Sequence, residues 1–213
     1  MEFYDKEYHS RLHKNLLNSR AYYLFRAEYS KNVYLRHLKG EIFEFGCGIG
    51  QNIYSIRKDA VGIDISDFAL KECAKRGINA VKSISKLRKS YDGCLSIHVF
   101  EHLENHGSYL KEISGKLKNH GRLVIVLPIA KKNLPERRSH GNDISKHLYY
   151  WNFPAINALL AKNGFKILLN RFNYARGFSL FYKLPFWLAI FLIRLLGYIT
   201  NTKEMMVVAE IER

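Results

Sequence analysis

Glu41-Ile42-Phe43-Glu44-Phe45-Gly46-Cys47-Gly48-Ile49-Gly50 is a short apolar strand pattern that runs directly into a turn with three alternating glycines. Glycine at such a turn admits φ > 0 and leaves no side chain between peptide and ligand, so a bulky cofactor can lie on bare amides. A second strand pattern, Ala60-Val61-Gly62-Ile63-Asp64, ends in a carboxylate fourteen positions after Gly50. On a neighbouring parallel strand that carboxylate stands beside the same turn, where it can accept both hydroxyls of a ribose. A tight strand-to-helix connection with no ligand would use the same glycines, but it has no use for an acid in register with them. The stretch reads as a nucleotide site.

The glycine order separates two cofactor classes. A dinucleotide fingerprint reserves its third glycine for close helix packing and sets a pyrophosphate on the helix N-terminus. Here the order is Gly46-Cys47-Gly48-Ile49-Gly50, preceded by the carboxylate Glu44, and an anion beside the ligand suits a cationic one. With Asp64, the decapeptide resembles motifs I and II of the class I S-adenosylmethionine-dependent methyltransferases. Three later stretches carry the resemblance in the same order: Tyr91-Asp92-Gly93-Cys94-Leu95-Ser96-Ile97-His98-Val99-Phe100-Glu101-His102-Leu103, then Gly121-Arg122-Leu123-Val124-Ile125-Val126-Leu127-Pro128, then His147-Leu148-Tyr149-Tyr150-Trp151 ahead of Gly164-Phe165. Together they cover roughly residues 40–170. The resemblance implies a Rossmann-like α/β sheet of seven strands, the last antiparallel, with helices on both faces. It implies S-adenosyl-L-methionine as cofactor, its methionyl part cradled by Gly46, Cys47, Gly48 and Gly50 beside Glu44. Asp64 would bind the ribose, with Ile65 next to it.

Composition sets the outer bounds. A chain of 213 residues with 47% apolar content suits one domain with a full core. Its expected parts are a helical lid over 1–39, a cofactor-binding core over 40–172 and an apolar insertion over 177–200. Thirty-four Lys and Arg against nineteen Asp and Glu leave a formal charge of +15, with pI near 9.7. That field gathers anionic partners such as nucleic acid, phospholipid or phosphorylated small molecules, and general surface charge accounts for it equally well. Cys47, Cys73 and Cys94 are too few and too scattered for a disulfide framework or a Cys-x-x-Cys zinc site, which points to a reducing cytoplasm. The N-terminus has acids and no apolar core, so it does not read as a secretory signal.

Helix-like spacings of Leu12, Leu16, Leu17 and of Tyr22, Phe25, Tyr29, Val33 predict two helices ahead of the first strand. In the resembled family this region is a lid, a task the aromatics and Arg26 could serve; packing onto the sheet is the simpler role for most of them. From residue 41 strands alternate with helices, as in a parallel sheet covered on both faces. Ser66 is a plausible N-cap, Asp67 favours the first turn, and Gly77 ends that helix. Further strands are expected over 78–84, 92–99, 122–127 and 165–172, and helices over 108–118 and 154–163. A final antiparallel strand is expected over 205–211. Between the last two strands, Leu184 to Ile193 is a run of ten uncharged residues, half of what a membrane span needs. An interfacial helix on an anionic membrane, a cover for a lipid-like substrate, a dimer contact and an ordinary core element all fit it.

Ligands of such sheets lie beyond the carboxyl ends of the strands at the switch in strand order. That selects the glycine turn, Asp64 with Ile65, and His98 to His102. His98 could take a proton from a hydroxyl acceptor or wall the methionyl pocket, while Glu101 and His102 are either catalytic or structural supports of the loop. His98-Val99-Phe100-Glu101-His102 resembles the metal-binding Glu-x-x-Glu-His of quinone-ring and small-RNA methyltransferases, with His98 in place of the first Glu. That replacement disfavours magnesium, and no metal is assigned. Lys131, Lys132, Arg137, Arg138, His140 and Lys146 would face the acceptor from a loop, and His147 with Tyr149, Tyr150 and Trp151 would border its pocket. The expected activity is methyl transfer to a hydroxyl or amine of a small, anionic or lipid-linked acceptor. Adenine-amino and cytosine methylation are disfavoured because neither an Asn-Pro-Pro-Tyr type motif nor a Pro-Cys nucleophile is present. Other RNA methylation stays open, as does a non-catalytic module that binds the cofactor or a membrane; the glycine order disfavours an NAD-dependent oxidoreductase. Oligomeric state is not legible.

Overall fold

The computed structural model describes residues 6–129 and 147–212. Seven strands form one mixed sheet in the order β3-β2-β1-β4-β5-β7-β6. They are β1 Ile42–Phe45, β2 Ala60–Ile63, β3 Ala80–Val81, β4 Tyr91–Ile97, β5 Leu117–Pro128, β6 Phe165–Tyr174 and β7 Lys203–Ile211. The first five are parallel, and β7 is inserted antiparallel between β5 and β6, as the sequence predicts. The third strand is shorter than expected: after Ala80 and Val81 pair with Gly62 and Ile63, the chain leaves the sheet and Ile84–Lys86 forms a 3-10 turn.

Helices cover both faces. On one, α5 (His106–Lys116) and α6 (Phe153–Lys162) meet Phe43, Cys94, Leu123 and Ile125 in a buried cluster. On the other, α3 (Arg20–Val33) and α4 (Asp67–Lys75) meet Ile42, Leu95, Val124 and Val126. Alternate residues of β5 thus supply both cores, which is why its pattern is continuously apolar rather than alternating. Ser66 caps α4 by accepting the Ala69 N–H, and Asn105 and Asn152 cap α5 and α6 in the same way.

The N-terminal segment holds three helices rather than the expected two: α1 (Lys6–Leu12), α2 (Lys14–Asn18) and α3, which Ser19 separates from α2 by capping it. Tyr23 on α3 donates to the Ile49 carbonyl, pinning the segment to the glycine turn. The apolar insertion forms α7 (Phe178–Phe181) and α8 (Phe186–Ile199). Ala189 and Ile193 on α8 pack against Phe25 of α3. No helix among the described residues is long and apolar enough to cross a membrane.

Candidate active site

The parallel strands end on one side of the sheet, and a cavity of about 1180 Å³ opens there. Its floor is the glycine turn. Gly46, Gly48 and Gly50 all have positive φ (75°, 52° and 79°), which explains why only glycine serves. Their surroundings differ. A Cβ on Gly46 would lie 2.2 Å from Val99, and one on Gly50 would lie 2.4 Å from Ile78, whereas one on Gly48 would meet nothing nearer than His13 at 3.9 Å. Gly48 is therefore the bare-backbone face toward the ligand. Gly50 does not line the cavity; it lets the turn close onto α4 and Ile78, a correction to its expected cofactor contact. Cys47 is buried and offers the cavity its backbone only, because its sulfur packs against Gly62.

Asp64 stands where the sequence places it, lining the cavity at the end of β2. Its Oδ2 accepts the Gly48 N–H at 2.7 Å and its Oδ1 accepts the Ser66 N–H at 2.9 Å. Two amides thus fix the carboxylate against the turn. Ile65 follows, 59% exposed, in the cavity wall that Ser83 and Ile84 also line, and offers the cavity an apolar surface. Glu44 corrects the expectation. It is fully buried beneath the turn and does not line the cavity; Asn52, eight residues on, donates to its Oε1 at 2.6 Å and takes the place in the wall. Burial pushes the Glu44 carboxyl well above the usual range despite that hydrogen bond, so it is no fixed anion facing a sulfonium.

His98 ends β4, its N–H still bonded to the Val126 carbonyl, and its own φ of 54° turns the chain into the Phe100–His102 3-10 turn. Its Nε2 lies 3.3 Å from Glu204 Oε2, and the other Glu204 oxygen accepts the Tyr34 hydroxyl. All three line the cavity. Desolvation lowers the His98 pKa, but the Glu204 hydrogen bond and charge outweigh it and raise it above the ordinary imidazole value. Burial, with the Glu204 charge, keeps the Tyr34 phenol protonated. Sequence reasoning missed both partners. The only signal was weak: Glu204 is the first acid after the sixty residues 144–203, which contain no Asp or Glu.

Glu101, His102 and His147 form a second group on the cavity wall. Glu101 is wholly buried, neither carboxyl oxygen has a hydrogen-bond partner among the described residues, and His102 and His147 Nε2 each lie 3.9 Å from its Oε1. The Glu101 carbonyl accepts the Leu148 and Tyr149 N–H groups, which is how a residue 45 positions downstream of His102 reaches it. Burial raises the Glu101 pKa to about 7, with His98 pulling the other way. Candidate ligand atoms of the three lie within 4.8 Å of one another, a nitrogen-rich set suited to a zinc-like ion rather than magnesium. His98, engaged with Glu204, is not part of it. The basic residues expected to face the acceptor, Lys131 to Lys146, lie outside the described residues; among those described, Arg11, Lys14, Arg26 and Lys82 line the cavity.

A glycine turn open at Gly48, a carboxylate locked to it, and a cavity at the switch in strand order make this the ligand-binding end of a Rossmann-like sheet. Residues 10–170 match the family model described as methyltransferase domain, and the chain belongs to that family. It is an S-adenosylmethionine-dependent methyltransferase, and its cofactor is S-adenosyl-L-methionine. Solved structures share the fold. Magnesium protoporphyrin IX methyltransferase from Synechocystis PCC 6803 with bound S-adenosylhomocysteine is 13% identical, with TM-score 0.67 over 99% of this chain and 97% of that one. A possible histamine N-methyltransferase from Thermotoga maritima is 17% identical, with TM-score 0.61 over 97% and 99%. A phosphoethanolamine N-methyltransferase from Haemonchus contortus, in complex with phosphomonomethylethanolamine and S-adenosylhomocysteine, is 14% identical with TM-score 0.62; all of this chain spans 60% of it. No curated protein matches the chain in sequence.

Proposed function

We propose that this methyltransferase transfers its methyl group to a hydroxyl of a small anionic acceptor, an amine being the less favoured nucleophile, with His98 as general base. The observation that carries the reading is the His98–Glu204–Tyr34 chain facing the cavity that Gly48 and Asp64 floor. A hydroxyl is a weak nucleophile toward a sulfonium until its proton can leave, and an imidazole held in one orientation by a carboxylate is suited to take it. Glu204 is a positioning residue, and Tyr34 orients it in turn. S-adenosyl-L-methionine, when bound, supplies an electrophilic methyl carbon for in-line displacement. The protein's own contribution is to hold ribose and acceptor, align them and exclude water.

A cavity of about 1180 Å³ exceeds the roughly 300–1,000 Å³ of an ordinary small-ligand cleft, so it suits cofactor and acceptor together. Arg26 favours a negatively charged acceptor: its guanidinium rests over the Phe178 ring at 4.2 Å, its buried Nε has no hydrogen-bond partner among the described residues, and it lines the cavity, as Tyr34 does. Residues 1–39 serve as the lid, with α1 to α3 carrying Arg11, Lys14, Tyr22 and Arg26 to the cavity.

The direct test is mass spectrometry of small molecules retained by the purified protein, followed by turnover assays with hydroxyl and amine analogues of whatever is found. Catalytic accumulation of S-adenosylhomocysteine with a hydroxyl acceptor is expected. Binding that saturates without turnover across all acceptors would leave a cofactor-binding module instead.

A further inference from the structure

From the outer face of α8 we infer that this methyltransferase docks on an anionic lipid bilayer surface. The helix is apolar apart from Arg194, yet only one side is used. Ala189, Ile193 and Gly197 face inward and are fully buried, and Gly197 lets the helix close on the end of β6, where a Cβ would lie 2.5 Å from the Ala175 nitrogen. The Arg176 N–H also bonds to the Ile193 carbonyl. The helix is firmly seated and its inner side is complete.

The opposite side carries Trp187, Phe191, Leu195 and Tyr198 at successive spacings of four, four and three residues, one continuous stripe, with exposed Leu184 just ahead of the helix. Trp187 is 73% exposed and Tyr198 70%. A soluble surface does not leave such a stripe to water without a partner. Trp and Tyr, apolar bodies with a polar tip, are the side chains best suited to the level of lipid headgroups.

Charge chooses among the occupants. Residues 144–203 contain eight Lys and Arg and no Asp or Glu, within a chain of formal charge +15. Lys183 precedes the helix, Arg194 is exposed on it, and Lys203 sits over the Phe172 and Tyr174 rings, the latter in contact with Tyr198. Cations thus flank both ends of the stripe. A second copy docked here would set like charges against one another, whereas phosphate headgroups would neutralise them while the acyl region receives the rings. At fourteen residues the helix is about 21 Å long, against about 30 Å of bilayer hydrocarbon, so it lies in the interface and does not cross it. Phe25 of α3 packs on its inner side while Arg26, next in sequence, lines the active-site cavity, so a docked α8 braces the helix that covers the site.

Flotation with vesicles tests this without reference to methyl transfer. Full-length protein should float with equimolar phosphatidylglycerol–phosphatidylcholine vesicles, remain behind with phosphatidylcholine alone, and be released by high salt. The double variant Trp187→Ser, Phe191→Ser should bind the anionic vesicles about tenfold or more weakly, with S-adenosylhomocysteine binding retained as proof of folding. Lys183→Ser with Arg194→Ser should weaken binding without touching the stripe. The emission of the protein should shift to shorter wavelength on adding anionic vesicles, and Trp187→Phe should abolish the shift. Wild type that ignores anionic vesicles overturns the proposal, as does a folded double variant that still floats. So does a wild-type dimer that the double variant converts to monomer, which would assign the stripe to a second copy.

Discussion

A methyl group added at Gly48 and one added at Gly50 should have opposite signatures, although both replace a glycine of one turn. At Gly50 the new Cβ would stand 2.4 Å from Ile78 Cδ1 and 3.1 Å from the Cys73 sulfur, inside a packed core, so Gly50→Ala should cost about 1–3 kcal/mol of stability, read as a lower melting temperature. At Gly48 the Cβ would enter the cavity, so Gly48→Val should leave the fold largely intact beyond the strain of positive φ, about 1 kcal/mol, and abolish S-adenosylhomocysteine binding by calorimetry. Full affinity in that variant would move the ligand elsewhere. Asp64→Ala removes the anchor of the Gly48 and Ser66 amides together with the proposed ribose acceptor; binding should weaken by about 1–3 kcal/mol. Gly48 and Asp64 were readable in advance because glycine spacing and an acid at a strand end are local signatures. Glu44 was not, since nothing in the string tells which side of β1 its carboxyl takes; burial beneath Asn52 settled that.

Strand β7 brings the Glu204 carboxylate to His98, and the reason is direction. Because β7 runs antiparallel to β5, its first residues arrive where the parallel strands finish, and Glu204 pairs with Pro128 at that edge. From there it reaches His98, 106 positions earlier in the chain. Glu204→Gln should lower the His98 pKa, since the carboxylate is what raises it. With His98 as the proposed base the rate depends on neutral imidazole, so the acid limb of the pH–rate profile should move to lower pH while kcat falls; Tyr34→Phe should do the same more weakly. An unmoved limb with unchanged kcat would take His98 out of the reaction. The final strand was legible in its apolar run and its antiparallel sense was implied by the family resemblance, but its register was in neither. Likewise the third strand ended early because the chain turns off after Val81 to wall the cavity with Lys82, Ser83 and Ile84.

For the whole molecule, Glu101 sets a pH dependence of stability. Its folded pKa of about 7 lies above the ordinary 4.5, so the folded state holds a proton that the unfolded chain has released. That contribution is complete below about pH 4.5 and is lost as pH rises through 7. Glu101→Gln, neutral and of the same shape, should match wild type near pH 4 and exceed it at pH 8 by on the order of 2–3 kcal/mol, measured by denaturant unfolding. A divalent ion held by Glu101, His102 and His147 would reverse the sign, making wild type the more stable at pH 8 and sensitive to chelator. The expected result is a melting temperature that chelator leaves unchanged.

The alternation of strands and helices, the place of the glycine turn and the acid at the end of the second strand were legible along the chain, because they rest on local backbone conformation and on apolar periodicity, which depend on neighbours in sequence. The pairing of His98 with Glu204 and Tyr34, the gathering of Glu101, His102 and His147, and the outward turn of Trp187 and Phe191 came only with the fold. Those depend on which strand edges and helix faces meet across long loops. The pattern of residues constrains such meetings only through the packing of the whole.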